Sequence, residues 1–179
     1  MKKVLALVVS LLTGGIVVGA ADRIFTNPKP EGHFKKLFPN AVAFSPFGGT
    51  PPHYKAYAAD PKANPNAPVL GYIFWTTDMV PQEHGYHGAI HILVGLNLNG
   101  TINNVVVDYD SEPYGYFSVE PAEFADQFKG KSIFDKFQVG ADVDAVSRAT
   151  LSINSATRAI RDSTRIVAMA LLDPNAVKR

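Results

Sequence analysis

The segment DAVSRATLS, Asp144 to Ser152, gathers three hydroxyl side chains, Ser147, Thr150 and Ser152, around Arg148 and Ala149. It stands where a long helical pattern begins. A helix entrance has two uses for hydroxyls. One is capping, in which Ser147 or Thr150 accepts a hydrogen bond from a free backbone N–H, worth about 1 kcal/mol. The other is anion chemistry: the unpaired N–H groups of the first turn and the positive end of the helix dipole suit a phosphate. Arg148 would add a permanent cation with a forked donor. Ala149 is small enough for a bulky group to come close to the backbone, and a hydroxyl held there can carry or contact a phosphoryl group.

Two further clusters have chemical potential. His84, His87 and His91 are spaced H-x-x-H-x-x-x-H. If all lie on a strand, His87 and His91 share a face and a metal pair is geometrically possible; the plainer reading is ordinary hydrogen bonding in a loop and on a sheet face. Arg158, Arg161 and Arg165 share one side of the last helical pattern and read as a solvated face balanced by Asp162, or as a docking surface for an acidic partner. No Ser-His-Asp order and no glycine-rich phosphate loop is present.

The elements that must position these residues follow from pattern. VLGYIFWTT, Val69 to Thr77, is β-branched and aromatic, and reads as a strand. GAIHILVGLN, Gly88 to Asn97, alternates, with Ile90, Ile92, Val94 and Leu96 on one face. Asn99-Gly100 then separates it from TINNVVVDYD, Thr101 to Asp110; the pair predicts a hairpin with positive φ at both turn residues. Tyr72, Phe74, Trp75 and Tyr86 read as core. Short helices are expected around Glu31–Phe38 and Glu120–Phe128, the latter closed by Gly130. The last helix should run from about Leu151 to Leu172, with Ile153, Ala156, Ile160, Val167 and Leu171 on its apolar stripe. The fold class is therefore α+β: a twisted antiparallel meander packed by a long C-terminal helix and short helices.

Composition sets outer limits. The chain has 179 residues, 46% hydrophobic and 18% charged, with a net charge of +1, so neither disorder nor nucleic-acid binding is expected. It contains no cysteine, which removes disulfides, thiolate-held zinc, iron–sulfur clusters and c-type haem attachment. Lys2 and Lys3 precede an apolar run from Val4 to Ala21. At helical rise this run spans about 27 Å against a hydrocarbon core of about 30 Å. It reads either as a secretory signal cleaved after Ala20 or Ala21, or as a retained anchor in which Gly15 and Gly19 let another helix approach. Both place the rest of the chain on the non-cytoplasmic side, periplasmic or extracellular. The organisation expected is residues 1–22 as signal or anchor, 23–68 as a proline-rich arm, and 69–179 as the folded domain.

Several segments, in order, resemble the FMN-binding domains of the sodium-pumping NADH–quinone reductase and Rnf complexes, and most of all the periplasmic domain of nitrous-oxide-respiration regulators. They are L-F-P-N-A at Leu37–Ala41, G-Y-I-F-W-T-T-D at Gly71–Asp78, G-Y-H-G at Gly85–Gly88, L-V-G-L-N-L-N-G at Leu93–Gly100 and S-E-P at Ser111–Pro113. V-D-A-V-S-R-A-T-L-S, Val143 to Ser152, is similar to the attachment motif of that family, Ser/Thr-Gly-Ala-Thr/Ser followed by a helix. The resemblance implies that Thr150 is joined through its hydroxyl to the phosphate of FMN by a separate FAD-dependent flavin transferase. It implies that Ser147 contacts the phosphate region, with Arg148, Ala149 and Leu151 around it, that Asp144 supports the motif or the transfer, and that Glu112 lies near the flavin. Arg148 stands where the family usually has Gly, and Ser-Glu-Pro-Tyr-Gly where it usually has Glu-Thr-Pro-Gly. Ser155-Ala156-Thr157 mimics the motif but lies two turns into the helix, where its N–H groups are already paired. The expected function is an extracytoplasmic electron carrier serving a membrane oxidoreductase or a periplasmic redox protein. The alternative is a flavin-free accessory subunit of a membrane complex.

Overall fold

The computed structural model describes residues 30–177. The run from Val4 to Ala21, expected as signal or anchor, lies outside the described residues. Among those described, no helix is long and apolar enough to cross a membrane.

Five strands, β1 (Ala43–Phe44), β2 (Tyr54–Tyr57), β3 (Val69–Trp75), β4 (His91–Asn97) and β5 (Ile102–Tyr109), form one sheet in sequence order. Every neighbouring pair is antiparallel, so the sheet is a simple meander. Among the described residues, four α-helices, α1 (Glu31–Leu37), α2 (Thr76–Met79), α3 (Ala122–Asp126) and α4 (Thr150–Leu171), and a 3-10 turn at Gly115–Phe117 complete the fold. The expected α+β class holds. The strand foreseen from Val69 to Thr77 ends at Trp75, where the chain turns into the single-turn α2, and the one foreseen from Gly88 begins only at His91.

The β4–β5 hairpin forms, but with a different turn. Asn97 N–H donates to Thr101 O at 2.9 Å and Gly100 N–H to Asn97 O at 3.1 Å, so the loop has three residues. Gly100 has a φ of +81°, whereas Asn99 is not among the residues with positive φ. One glycine in the left-handed region closes such a loop. Asn99 instead uses its side chain, whose Oδ1 accepts from Thr101 N–H at 3.1 Å and from the Thr101 hydroxyl at 2.7 Å.

Both faces of the sheet are covered. Phe74 of β3, Ile92, Val94 and Leu96 of β4 and Val105 of β5 face α4, meeting its Ile153, Ala156, Ile160 and Val167. The alternate residues Ile73, Trp75 and Leu93 face α1 and pack on Phe34, Leu37 and Phe38. Burial on two sides explains why β4 is apolar almost without interruption. The proline-rich stretch expected as an arm thus supplies α1, β1 and β2, and its Phe38 ring rests where β3 and β4 carry glycines. A Cβ on Gly71 would lie 2.6 Å from Phe38 Cζ, and one on Gly95 would lie 3.1 Å from Phe38 Cε2. Side chains of β5 fasten α1 further: Asp108 accepts from His33 Nε2 at 2.8 Å, and Asn104 Nδ2 donates to Lys36 O at 2.9 Å.

Candidate functional site

The chain approaches α4 between two buried anchors, Val143 and Ala149, both part of the main core. Upstream, Asp142 gathers the loop: its carboxylate accepts from the N–H groups of Phe137 and Gln138 at 3.0 and 2.6 Å and from Lys131 at 3.1 Å. Burial works to raise the Asp142 pKa, and those bonds overcome it, holding the group below the usual carboxylate range. From Asp144 to Arg148 the segment bows outward. Asp144, Ala145, Ser147 and Arg148 are exposed, and the Asp144 N–H is tied to Gln127 Oε1 at 2.6 Å.

The bow closes in a tight turn. Ala149 N–H donates to Val146 O at 3.2 Å, and Arg148, the third residue of that turn, has a φ of +70°. A type II turn needs positive φ at this position, which glycine adopts freely and other residues only at a cost. Here lies a physical reason for glycine at the matching position of the motif that this segment resembles. Arginine occupies the same conformation. Its guanidinium enters none of the ion pairs or hydrogen bonds among the described residues.

The capping expectation for Ser147 and Thr150 is not met. The N-cap residue of α4 is Ala149, no side chain caps the helix, and Thr150 is already its first helical residue. The first-turn N–H groups therefore stay open. Thr150 is exposed, and so is Leu151, at 62%. Thr157 is different: it is 1% exposed, and its buried hydroxyl has no hydrogen-bond partner among the described residues. Of the two hydroxyls, only that of Thr150 is open to a bulky reagent.

A cavity of about 340 Å³ opens at this helix entrance. Its floor is the α4 start, Arg148, Ala149, Thr150, Leu151 and Ser152, and its walls are Tyr86, Pro113 and Tyr114. Four of the expected site residues, Arg148, Ala149, Thr150 and Leu151, thus meet in one place. Ser147 and Asp144 are on the outward bow and do not line the cavity. Tyr86, expected in the core, is 68% exposed at the cavity wall, whereas Phe74 and Trp75 are fully buried.

Glu112 sits beneath this cavity rather than in its lining. It is buried, with 7% exposure. Its Oε2 accepts from Tyr86 N–H at 2.8 Å and its Oε1 from the N–H groups of His87 and Gly88 at 2.9 and 3.3 Å; the Ser152 hydroxyl donates to Oε2. Burial pushes the Glu112 pKa up, but the bonds from Ser152, His87, Tyr86 and Gly88 outweigh it and hold the carboxyl below its ordinary value. Gly85 leaves the space for this: a Cβ there would lie 2.5 Å from Glu112 Oε1. The junction was hidden in the sequence, although glycines flanking Tyr86-His87 and an acid before Pro113 were its visible traces. Nearby Asp110 accepts from Glu112 N–H at 2.9 Å, yet burial, with the Glu112 charge adding, lifts its carboxyl above the ordinary value.

The histidines do not make the strand-face pair. His87 is an exposed loop residue before β4, and His91, the first residue of β4, packs on the Tyr109 ring with centroids 5.8 Å apart. Among the described residues no cluster of three or more His, Cys, Asp or Glu could hold a metal ion. The arginine face is also tied down. Arg158 pairs with Glu83 at 3.0 Å, Arg161 with Asp162 at 2.7 Å, and Arg165 donates to the carbonyls of Ile133 and Asp135.

Residues 85–165, from the Tyr86 loop through the first four turns of α4, match the family model of the FMN-binding domain. No curated protein matches the chain.

Proposed function

We propose that this chain, a member of the FMN-binding domain family with FMN as its cofactor, is an electron carrier whose FMN is esterified to Thr150. The observation that carries the reading is the exposed Thr150 on an uncapped helix N-terminus, on the floor of a cavity beside an arginine that is unpaired among the described residues. Those parts suit a phosphodiester: open N–H groups and the helix dipole meet its charge, and Arg148 supplies a cation. In the loading reaction the Thr150 oxygen forms a bond to the flavin-side phosphorus of FAD. The pyrophosphate link breaks, AMP leaves, and the hydroxyl proton is lost. A separate FAD-dependent flavin transferase would perform it.

When bound, FMN supplies one- or two-electron transfer. The chain's own residues do the rest. Thr150 fixes the cofactor to α4, Arg148 and the first-turn N–H groups hold the phosphate, and the walls screen one side from water. Ser147, on the exposed turn, is close in sequence to that phosphate, and Asp144, further out on the bow, is available to the transferase. The apolar run Val4–Ala21 supports a domain held or exported to the periplasmic or extracellular side, serving a membrane oxidoreductase or a periplasmic redox protein.

Intact mass of protein purified from a host with the transferase tests this. Wild type should carry one FMN and show flavin fluorescence in denaturing gels. Thr150→Ala should lose both signals and Thr157→Ala should keep them. Unmodified wild type from such a host would overturn the carrier and favour a flavin-free accessory subunit.

A further inference from the structure

We infer that Tyr86 and Tyr114 are the two walls between which the flavin ring of this chain lies, and that Glu112 is the positioning residue that sets their spacing. This rests on Thr150 as the attachment point.

Large aromatic rings left in water forgo burial worth about 25 cal/mol per Å². Tyr86 is 68% exposed and Tyr114 45%, and both line the cavity that contains Thr150. The other strongly exposed tyrosine, Tyr116 at 69%, does not line it. Tyr114 touches Phe117 obliquely, with centroids 5.4 Å apart. The cavity is thus lined by two rings from different loops, together with the exposed Leu151 of the helix. A flat, electron-poor aromatic ring suits such a slot, because stacked aromatic pairs gain about 0.5–1.5 kcal/mol beyond burial.

One residue holds all three pieces, two through its carboxylate and the third through its backbone carbonyl. Glu112 receives the N–H groups of Tyr86, His87 and Gly88, fixing the first tyrosine's loop. It receives the Ser152 hydroxyl, fixing the start of α4 and with it Thr150. Its own carbonyl accepts from Gly115 N–H at 3.1 Å, closing the turn that presents Tyr114. The carboxylate is buried and does not line the cavity, so it acts through the Tyr86 loop and the start of α4 and not by touching the flavin.

The test uses the full-length chain produced with the transferase. Intact mass reports loading, which depends on Thr150 and not on ring placement. Flavin emission, normalised to bound flavin absorbance, reports stacking, because a tyrosine in contact quenches an excited flavin. Removing one wall should shift the ratio of stacked to open ring about 2- to 12-fold. Emission should therefore rise in Tyr86→Leu and in Tyr114→Leu, rise further in the double variant, and stay at the wild-type level in Tyr116→Leu. Glu112→Gln should raise it with both tyrosines present, and Ser152→Ala, which removes a single bond, should raise it less while keeping the fold. Fully loaded Tyr86→Leu and Tyr114→Leu with wild-type emission would overturn the slot and leave Thr150 standing. Wild-type emission in loaded Glu112→Gln and Ser152→Ala would remove Glu112 from it. Absence of the adduct in wild type would instead sink the attachment.

Discussion

Glu112→Gln is the most informative single change for stability, and its size can be worked out bond by bond. Glutamine keeps one acceptor oxygen, which can serve His87 and Gly88 from the Oε1 position. The amide nitrogen then falls where Oε2 now accepts from Tyr86 N–H and the Ser152 hydroxyl. The hydroxyl can rotate to accept instead. The backbone N–H of Tyr86 cannot, and a buried donor left without a partner costs about 1–3 kcal/mol. The bonds that survive lose their charge assistance, worth about another 1 kcal/mol together. The total is about 2–4 kcal/mol, a large share of the 5–15 kcal/mol that ordinarily separates folded from unfolded chains, roughly as found for domains of this size.

Urea unfolding of both proteins as a function of pH would measure it. The folded Glu112 carboxyl lies below its ordinary value of 4.5. Its contribution is therefore fully present above that value and is lost as pH falls through the lower folded value. The gap between wild type and variant should be widest near neutrality and should close on acidification. A gap under about 0.5 kcal/mol at pH 7, the scatter of neutral surface changes, would refute the reasoning. So would a gap that is indifferent to pH.

Arg148→Gly should raise stability by about 0.5–1 kcal/mol in thermal unfolding, because the left-handed conformation costs a non-glycine residue about 1–2 kcal/mol and glycine returns part of that as chain entropy; a loss would mean that the arginine side chain holds the turn. Thr157→Val should be neutral or stabilise by up to about 1 kcal/mol, since its hydroxyl is buried without a partner, and a clear loss in the same assay would refute that. Gly71→Ala should cost about 3 kcal/mol or more, because its Cβ would lie 2.2 Å from Leu96 O; a wild-type melting curve would contradict the packing of β3 on β4. A chain lacking residues 1–68 should fail to fold: Phe34, Leu37 and Phe38 alone represent about 5–9 kcal/mol of burial, and a cooperative transition in that fragment would refute their place in the core.

What could be seen in the sequence was what repeats along the chain. Alternation gave β4 its face toward α4, and the three-to-four spacing of Ile153, Ala156 and Ile160 gave the helix its buried stripe. Contacts between distant segments were not visible. Nothing local says that Phe38 will lie over Gly71 and Gly95, yet that contact turns the proline-rich stretch into the second covering layer. Tyr86 illustrates the same limit at the site. Near Trp75 and Phe74 in composition, it reads as core; only the pull of Glu112, 26 residues downstream, shows that its loop stands at the cavity wall. The segments at 85–88, 111–113 and 143–152, quoted separately from the sequence, each send residues to that cavity.

The entrance to α4 breaks two local rules at once. A helix of 22 residues, preceded and opened by Ser147 and Thr150, has no side-chain cap, although either residue type would ordinarily contribute about 1 kcal/mol by capping. One residue earlier in the turn, arginine holds a conformation that favours glycine. Neither feature helps the fold, and both lie on the floor of the same cavity. Chains tolerate such local losses mainly where a site needs them. Had Ser147 or Thr150 capped the helix, its first N–H groups would be closed to a phosphate and the hydroxyl engaged; had Arg148 been glycine, the turn would relax and the cation would vanish. Each departure leaves something available, in one case open donors beside a free hydroxyl, in the other a fixed positive charge. The anionic group proposed at Thr150 would make use of both, and on that proposal the strained, uncapped turn is better explained by what it would bind than by how it packs.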